Sequence, residues 1–407
     1  MATAVLVVFA LVYLGMILGG LPFLQLDRTG VALLGAIALV AIGALTPERA
    51  ALSIHLPTLL LLFSFMVISA QMRLGGFYTR VTLGLADLRI SPPALLAGVI
   101  AAVGILAAVF SNDVICLAIA PVLVDACLAR RLDPVPYLLG LACAANVGSA
   151  ATLIGNPQNM LVGQVLGLSF SGYFLEAIVP VMLGLAATWG VIAYQVRGRW
   201  RTVLDEPRPE RREDYARYDR WQTAKGLGVA GALLGAFLLS DVPREVAALA
   251  GAGLLLMSRR LHSHKMLGLV DWELLILFIG LFVVNHALAQ SGLAASALAW
   301  LADAGVPLTD PGPLFVVTLA LSNLVSNVPA VMLLLPAATE PFSGPMLALV
   351  STLAGNLLIV GSIANIIVVD AARRRGIAID WRMHARTGVP VALATLFVTA
   401  VWFALRH

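Results

Sequence analysis

The sequence predicts an all-α polytopic membrane protein made of two inverted-topology repeats, with re-entrant helical hairpins and broken helices. Of its 407 residues, 60% are hydrophobic and 12% are charged, whereas a soluble globular domain carries roughly 25% charged residues. Its mean hydropathy is +0.95. A spanning helix needs about 20 apolar residues, so the apolar runs accommodate roughly ten spans. Recurring polar motifs and an uneven distribution of basic residues predict the repeat and its inversion.

A short polar motif occurs twice, once in each half of the chain. Each copy has a serine–asparagine pair in an apolar run, then a proline, and later a glycine shortly before an asparagine. The first copy comprises Ser111, Asn112, Pro121, Gly155 and Asn159, and the second comprises Ser326, Asn327, Pro336, Gly361 and Asn365. Polar groups at membrane depth are costly unless they line a cavity or bind a ligand. The duplication therefore indicates one binding site formed by both halves.

Each predicted repeat contains a hairpin followed by a broken helix, and a polar linker joins the repeats. The first repeat is predicted at 1–196, with its hairpin at about 93–129 and its broken helix at about 136–170. The linker is predicted at 197–221. The second repeat is predicted at 222–407, with its hairpin at about 311–340 and its broken helix at about 346–372. The linker is mixed in charge and contains two prolines. It is therefore predicted to be a cytoplasmic connector.

The basic residues predict the orientation in the membrane. With five crossings and one hairpin per half, and both termini outside, all but three of the 26 Lys and Arg residues fall in loops on the inner side. The exceptions are Arg49, Arg244 and Arg406. This bias follows the positive-inside rule, and an odd number of crossings inverts the second half. Because the arginines are scattered over loops without interleaved aromatic residues, no nucleic-acid partner is predicted.

The polar motifs are expected to interrupt helices near the middle of the bilayer. Ser111-Asn112-Asp113 separates two arms of about 18 and 16 residues, which are short for full spans and suit a hairpin. A second interruption is predicted at Gly155-Asn156, with Pro157 at the first helical position, where its missing N–H does no harm. Two tips and two breaks would direct four helix N-termini toward one central volume. Such N-termini favour an anion or an oxygen-rich polar substrate.

Small and polar residues have a second interpretation in membrane helices. Glycine, serine and asparagine often serve there only in packing or interhelical hydrogen bonds. That alternative stays open for Asn146, Ser149, Ser322 and Asn323. At the tips and breaks, the matched spacing in two halves favours a binding role.

Asp113 lacks an acidic counterpart, because Val328 occupies the equivalent position in the second half. A lone acid at membrane depth must be neutral, paired or bound to a cation. No Lys or Arg lies in either hairpin arm to pair with it. Proton or Na⁺ coupling is the functional interpretation, and the alternative is a carboxylate that caps the outgoing helix.

Three segments, SNDVICLAIAPV, ATLIGNPQNMLVG and LSNLVSNVPAVMLLLP, resemble the ion transporter superfamily. This group includes ArsB-type arsenite pumps, NhaD-type sodium/proton antiporters and citrate-transporter-like divalent anion/sodium symporters. The resemblance covers nearly the whole chain. It implies two inverted repeats, an elevator-like transport domain built from hairpins and broken helices, and a scaffold that commonly forms a homodimer. It also implies that tip and break residues form the substrate and cation site.

The predicted site residues come from both halves of the chain. The substrate-binding residues are predicted to be Ser111, Asn112, Asn156, Pro157, Asn159, Ser326, Asn327 and Asn365. The positions for the coupling ion are predicted to be Asp113, Gly155, Ser322 and Gly361, with Na⁺ as the alternative to H⁺. No metal site and no cofactor besides the coupling ion are expected.

The sequence differs from the families that it resembles at positions that affect which substrate could bind. Dicarboxylate symporters typically carry Ser-Asn-Thr at both tips, and here the third positions are Asp113 and Val328. An ionised Asp113 would repel a dianion at low dielectric. The NPQN and SNVP strings are more similar to the arsenite pumps, although no cysteine lies at a tip or break to bind arsenic as a thiolate.

The sequence therefore predicts a secondary active transporter of a small anion or oxyanion acid in the bacterial inner membrane, coupled to H⁺ or Na⁺. The alternatives are an arsenite efflux permease, a di- or tricarboxylate symporter, and a Na⁺/H⁺ antiporter. No nucleotide-binding loop of an ATP-driven pump is present. No nucleophile with a placed base is visible either, so an enzyme is not predicted. A passive channel would have similar polar breaks without a coupling acid.

Overall fold

The computed structural model describes residues 1–21, 24–201 and 216–406. Helices make up 77% of the chain, and seven of those described are long and apolar enough to cross a membrane. The prediction of an all-α polytopic membrane protein is confirmed. The seven are fewer than the roughly ten expected spans, because several apolar helices are shorter, such as one of 17 residues and one of 14 near the N-terminus.

The helices of the first half begin near the N-terminus and end before the linker. They are α1 (Ala2–Leu18), α2 (Arg28–Ala41), α3 (Pro47–Ser53), α4 (Leu56–Leu74), α5 (Phe77–Ala86), α6 (Pro92–Val109), α7 (Asn112–Ala129), α8 (Pro134–Ser149), α9 (Pro157–Val165) and α10 (Phe170–Gln195). Two short antiparallel strands, β1 (Gly20–Leu21) and β2 (Leu26–Asp27), lie between α1 and α2.

The second half repeats this order of helices within the described ranges. Its helices are α11 (Arg220–Leu239), α12 (Arg244–Leu256), α13 (Ser263–Leu267), α14 (Trp272–Gln290), α15 (Leu293–Asp303), α16 (Pro311–Val325), α17 (Asn327–Leu334), α18 (Ser343–Ala354), α19 (Ile363–Arg374) and α20 (Trp381–Arg406). One 3-10 turn, Leu335–Ala337, follows α17, and a second, Ile359–Gly361, precedes α19.

Equivalent helices of the two halves have equivalent neighbours. Helix α2 of the first half packs on α14 of the second, and α12 of the second half packs on α4 of the first. Helices α10 and α20, both 26 residues long, pack on each other. Helices of each half therefore pack directly on helices of the other half.

The hairpins form because proline begins each incoming arm and a polar residue interrupts each apolar run. Prolines at the first positions of α6 and α16 cost nothing there, since those N–H groups have no helical partner. The first tip lies between Val109 and Asn112. At the second tip, Ser326 has φ +78°, an uncommon conformation for a residue other than glycine. The outgoing arm of the second hairpin is shorter, since α17 ends at Leu334 before a 3-10 turn that contains Pro336, whereas the equivalent Pro121 lies inside α7.

Both ends of the predicted linker contact helices of the first half. The backbone N–H of Asp133 donates to the Trp200 carbonyl, and that of Asp219 donates to the Gly75 carbonyl, both at 3.0 Å. The Asp219 side chain accepts hydrogen bonds from the first amides of α11. These amides, with Arg260, hold the pKa of Asp219 below its usual value. Residues 202–215 of the predicted linker lie outside the described residues.

Candidate functional site

The tip of the first hairpin contacts the interruption between α8 and α9. The backbone N–H of Asn112 donates to the Gly155 carbonyl at 3.2 Å. The side-chain Nδ2 of Asn112 donates to Oδ1 of Asn146 in α8 at 3.1 Å. Asn112 is only 5% exposed. The structure therefore holds the tip against the break and turns the Asn112 side chain into the protein.

The first break is closed by its own asparagine side chains. Asn156 is the N-cap of α9, and its Oδ1 accepts from the backbone N–H of Asn159 at 2.9 Å, with Pro157 at the first helical position. The Nδ2 of Asn159 donates to the carbonyl of Thr152 at 3.0 Å and to the carbonyl of Ser149 at 3.4 Å. These amides satisfy carbonyl groups that the end of α8 leaves without helical partners.

The second break has the same arrangement around Asn365. Helix α18 ends at Ala354, and α19 begins at Ile363. The Nδ2 of Asn365 donates to the carbonyls of Gly355 at 2.7 Å and Leu358 at 3.1 Å, which lie 10 and 7 residues before it. Asn159 binds the carbonyls 10 and 7 residues before itself. The duplicated asparagine therefore has the same framework role in both halves.

Asn146 connects the first half to the second. Its Nδ2 donates to Oδ1 of Asn356 at 2.8 Å and to Oδ1 of Asn365 at 3.2 Å. Its Oδ1 accepts from Asn112 and also from the Ser362 hydroxyl at 2.9 Å. One buried amide thus joins the first tip, the helix that precedes the first break and the whole second break.

Thr352 makes the reciprocal connection from the second half. It occupies the position in α18 that Asn146 occupies in α8, since each lies nine residues before the glycine of the break, Gly361 or Gly155. Its hydroxyl accepts from Nδ2 of Asn156 at 3.1 Å and donates to Oδ1 of Asn159 at 3.2 Å. Gln158 also donates to this hydroxyl at 3.1 Å. Each half is therefore hydrogen-bonded to the break of the other.

The second hairpin tip lies against the second break. A Cβ placed on Gly355 would lie 3.3 Å from Nδ2 of Asn327, and one placed on Gly361 would lie 3.2 Å from Oδ1 of Asn323. Asn327 is 9% exposed, and Ser326 beside it has the unusual backbone conformation described above. Each tip therefore lies against the break of its own half.

Several buried polar atoms around the tips and breaks have no hydrogen-bond partner among the described residues. These atoms are Asn112 Oδ1, Asp113 Oδ1, Ser322 Oγ, Asn323 Oδ1, Asn327 Oδ1 and Asn356 Nδ2. Leaving a buried polar group unpaired costs roughly 1–3 kcal/mol, and buried polar groups in native structures are nearly always paired. Most of the unpaired atoms are acceptors. The site therefore offers oxygens to a ligand that can donate hydrogen bonds or to a cation.

Asp113 is the second residue of α7, and the N-cap position belongs to Ser111, which makes no side-chain capping bond. Within the described residues, no ion pair or hydrogen bond involves the Asp113 carboxylate. The alternative that Asp113 caps α7 is therefore not supported by the geometry. Coupling stays the prediction for this residue.

The segments that form the tips and breaks carry no positive side chain. Residues 92–129, 134–165, 311–337 and 343–372 contain no Lys, Arg or His. Their other acids, Asp125 and Asp370, form ion pairs with Arg375 and Arg374. Asp113 is therefore the acid that lies closest to the hydrogen-bonded asparagines.

The structure thus brings most of the predicted site residues into two adjoining tips and breaks. Six of the predicted substrate residues are buried, and the two serines of the tips are half-buried: Asn112, Asn156, Pro157, Asn159, Asn327 and Asn365, with Ser111 and Ser326. The predicted coupling positions Gly155, Ser322 and Gly361 are buried, and Asp113 is half-buried with its Oδ1 fully enclosed.

Sequence reasoning missed residues that complete the hydrogen-bond network. They are Thr352, Asn356, Ser362 and Gln158, and Asn146 was left open between packing and binding. The register of the repeat was the available signal, because Thr352 aligns with Asn146 and Ser362 with Asn156 when the two break glycines are superimposed.

The fold and this site together define a polytopic membrane transporter. The chain belongs to the citrate transporter family CitMHS, whose profile matches residues 4–345. Among solved structures, the YdaH transporter of Alcanivorax borkumensis, described as having an unusual topology, matches with a TM-score of 0.60 at 16% sequence identity. The match covers 99% of this chain and 96% of that one, and it shows that the fold is shared.

Relatives match over nearly the full length of the chain. A silicon efflux transporter of Oryza sativa subsp. japonica is 28% identical, and the match covers 98% of this chain and 96% of that protein. An uncharacterized transporter of Mycobacterium tuberculosis is 29% identical, with 94% of this chain and 95% of that protein covered. A putative arsB transporter of Dictyostelium discoideum is 22% identical, with 92% and 87% covered.

Proposed function

We propose that this protein is a secondary active transporter of a small anion or oxyanion acid, coupled to H⁺ or Na⁺. The observation that carries the proposal is the pair of hairpin tips and breaks, joined reciprocally through Asn146 and Thr352, with unpaired buried polar atoms around them. Membrane transporters bind substrate at such interrupted helices where two repeats meet.

The chemistry of the unpaired atoms favours a substrate that carries hydroxyl groups. Carboxamide and carboxylate oxygens accept hydrogen bonds and need a donor. A protonated oxyacid supplies O–H donors, whereas a fully ionised carboxylate supplies none. The absence of Lys, Arg and His from the four central segments also removes compensation for a polyanion. An uncharged or singly charged oxyacid therefore fits the site best.

The names of two relatives agree with this substrate class. One is a silicon efflux transporter and another is a putative arsB transporter, and silicic and arsenous acids are small, hydroxyl-rich and uncharged near neutral pH. Citrate and other di- or tricarboxylates are the second candidate, because the matching family is named for citrate. A carboxylate would need bound cations to offset its charge beside Asp113.

The coupling proposal rests on Asp113 for H⁺ and on the second hairpin for Na⁺. A carboxyl group in this position can bind and release a proton as the site changes its exposure. A cation would find the Asn323 Oδ1 beside Gly361 and the unpaired Ser322 hydroxyl on the same helix, whereas Gly155 in the first half is enclosed by backbone atoms. A Na⁺/H⁺ antiporter would use the same groups without an oxyacid substrate.

The architecture that we propose has two inverted repeats and elevator-type movement in an inner membrane. The exchanged packing of α2 on α14 and α12 on α4 supports the proposed inverted repeat, because two repeats related by a two-fold axis would make such a pair of contacts. The tips and breaks, joined by the asparagine network, would move as one body against the remaining helices. A homodimer formed through those remaining helices completes the proposal.

Uptake into proteoliposomes tests the proposed function. The probes are arsenite, silicic acid, phosphate, succinate and citrate, each measured under a separately imposed H⁺ or Na⁺ gradient. We expect concentrative uptake of an oxyacid driven by one of the two gradients. Concentrative uptake of citrate or succinate alone would select the carboxylate alternative.

The control variant for this experiment is Asp113→Asn, which retains the shape of the side chain and removes its charge. We expect it to pass the probe down a concentration gradient without accumulation. If neither the H⁺ gradient nor the Na⁺ gradient accelerates flux, and flux is equal in the unaltered protein and in Asp113→Asn, the protein is a passive channel. That result would contradict the proposal.

A further inference from the structure

A histidine of α20 contacts the second break from outside the predicted site. His384 is 1% exposed, and its Nε2 lies 3.2 Å from the backbone carbonyl oxygen of Asn356. Gly388, one turn later in α20, leaves room for this contact. A Cβ on Gly388 would lie 2.3 Å from the Asn356 oxygen and 2.8 Å from Nε2. The close approach of α20 to the break therefore depends on both residues.

The first half has a tyrosine at the corresponding position. Tyr173 is the fourth residue of α10, as His384 is of α20. Its hydroxyl donates to the carbonyl of Ala150 at 2.8 Å. Ala150 directly follows the last residue of α8 and lies nine residues before Asn159, as Asn356 lies nine residues before Asn365. Both halves thus place a donor of the last helix on the same carbonyl of the break.

The two donors differ in their response to pH. A phenol titrates near pH 10, far above physiological pH, and the Tyr173 hydroxyl also accepts from Asn159 at 3.0 Å. An imidazole changes its charge within the physiological range. Duplication has therefore given the second break a titratable group where the first has a permanently neutral one.

Burial opposes protonation of His384, because the charged imidazole would lose its hydration, and few charged side chains lie near enough to change this. The elements that pack on α20 are α8, α10, α18 and the 3-10 turn Ile359–Gly361, which carries no charged side chain. Neither α8 nor α18 contains a charged residue, and the Glu176 of α10 pairs with Arg406 at the far end of α20. Near His384 in the sequence, Asp380, Arg382 and Arg386 are exposed. The carbonyls at the C-terminal end of α18 favour positive charge at this place.

Asn356 transmits the contact to the site. Its carbonyl faces His384, its Oδ1 accepts from Asn146, and its Nδ2 is the unpaired buried donor. A charged donor forms a hydrogen bond roughly twice as strong as a neutral one. Protonation of His384 therefore tightens the hold on Asn356 and adds positive charge behind the amide that is free to bind an oxygen of the substrate.

We propose that His384 is a proton-responsive positioning residue, which acts through Asn356 to strengthen binding of an anion or oxyacid as pH falls. The inference rests on the proposed transport function for its kinetic test. Its premise, titration of His384 in the folded protein, stands independently of that function.

The kinetic test compares KM for the probe that is transported, at pH 6 and pH 8 without a pH gradient. The proteins are the unaltered chain, His384→Gln, which retains a neutral donor, and Tyr173→Phe as the matched control in the first half. For each protein we take the ratio of KM at pH 8 to KM at pH 6. The ratio of the unaltered protein is then divided by the ratio of each variant. This quotient cancels the effects of pH on the ionisation of the substrate and of Asp113. We expect a quotient of about five to ten for His384→Gln and a quotient near one for Tyr173→Phe.

A quotient near one for His384→Gln would overturn the inference. If no probe is transported, the same question is answered by ¹³C NMR of histidine-labelled protein, in which the His384 signal is identified from its loss in His384→Gln. We expect that signal to titrate between pH 5 and pH 8.5. A signal that stays constant over this range would contradict the inference, whether or not the protein transports the probes.

Discussion

The two halves of this protein share one framework and differ in what they leave open. Asn159 and Asn365 bind equivalent carbonyls, and Asn146 and Thr352 cross to opposite halves in equivalent ways. The first break, however, is packed closed, with the Thr152 hydroxyl donating to the Ala108 carbonyl. The framework positions are thus alike in the two halves, and the positions proposed to face the ligand differ.

The second half is the more open one. Ala107 and Ala108 of the first hairpin correspond to Ser322 and Asn323 of the second, where both polar side chains have an unpaired atom. The strained backbone of Ser326 also belongs to the second tip, and such strain typically marks functional positions. The second hairpin therefore has more unpaired polar atoms than the first, at Ser322, Asn323 and Asn327.

The largest effect on stability is expected for Asn146→Ala. This change leaves hydrogen-bonding groups of Asn112, Asn356, Asn365 and Ser362 without a partner. Each unpaired buried group costs at least about 1 kcal/mol, so we expect a loss of about 4 kcal/mol. The measurement is thermal unfolding of the purified protein in detergent.

Thr352→Val is the equivalent change in the second half. It removes partners from Gln158 and Asn159, whereas Asn156 keeps its bond to the Ser149 hydroxyl, and we expect a smaller loss of about 2 kcal/mol. A change in melting temperature below one degree for both variants would show that the reciprocal network does not hold the halves together.

The break glycines provide the next comparison. A Cβ on Gly155 would lie 2.2 Å from the Ser149 carbonyl oxygen and 2.8 Å from that of Ala107. Because backbone atoms cannot move aside cheaply, we expect Gly155→Ala to cost about 3 kcal/mol. For Gly361→Ala the nearest atoms are at 3.2 Å and include a side-chain oxygen of Asn323.

We therefore expect Gly361→Ala to cost less than about 1 kcal/mol but to slow transport, since it crowds the open half. Thermal unfolding and initial uptake rates, measured side by side, separate the two effects. Equal destabilisation by the two substitutions would remove the distinction between a closed and an open break.

A smaller effect is expected where α1 holds the second hairpin. The Tyr13 hydroxyl donates to Oδ1 of Asn285 at 3.0 Å and lies 3.4 Å from the Pro329 carbonyl. Tyr13→Phe should cost about 1 kcal/mol, the value of one buried hydrogen bond. An unchanged melting temperature in Tyr13→Phe would mean that this bond does not hold the second hairpin.

Asp113→Asn should have the smallest effect on stability. The carboxylate has no ion pair among the described residues, so neutralising it removes a desolvated charge without breaking a contact. We expect an unchanged or slightly raised melting temperature together with loss of gradient-driven accumulation. A lower melting temperature would mean that the charge supports the fold instead of coupling.

The sequence predicted the elements that depend on local chemistry. The serine–asparagine pairs, the prolines and the break glycines mark helix ends, because these residues act on the backbone next to them. The partners of Asn146 were beyond reach, since they lie 210 to 219 residues away and depend on how the halves dock. His384 was missed for another reason. Tyrosine and histidine share no sequence signal, so their common place on the breaks is visible only in the structure.

A double-mutant cycle between Asn112 and Asn327 tests most directly whether both halves enclose one ligand. The variants Asn112→Ser, Asn327→Ser and the double variant are compared through kcat/KM for uptake of the transported probe. If the two tips bind one ligand, the effects are not additive, and we expect a coupling energy of about 1 kcal/mol or more. Additivity within about 0.3–0.5 kcal/mol would mean that the tips act independently, which would contradict a shared site.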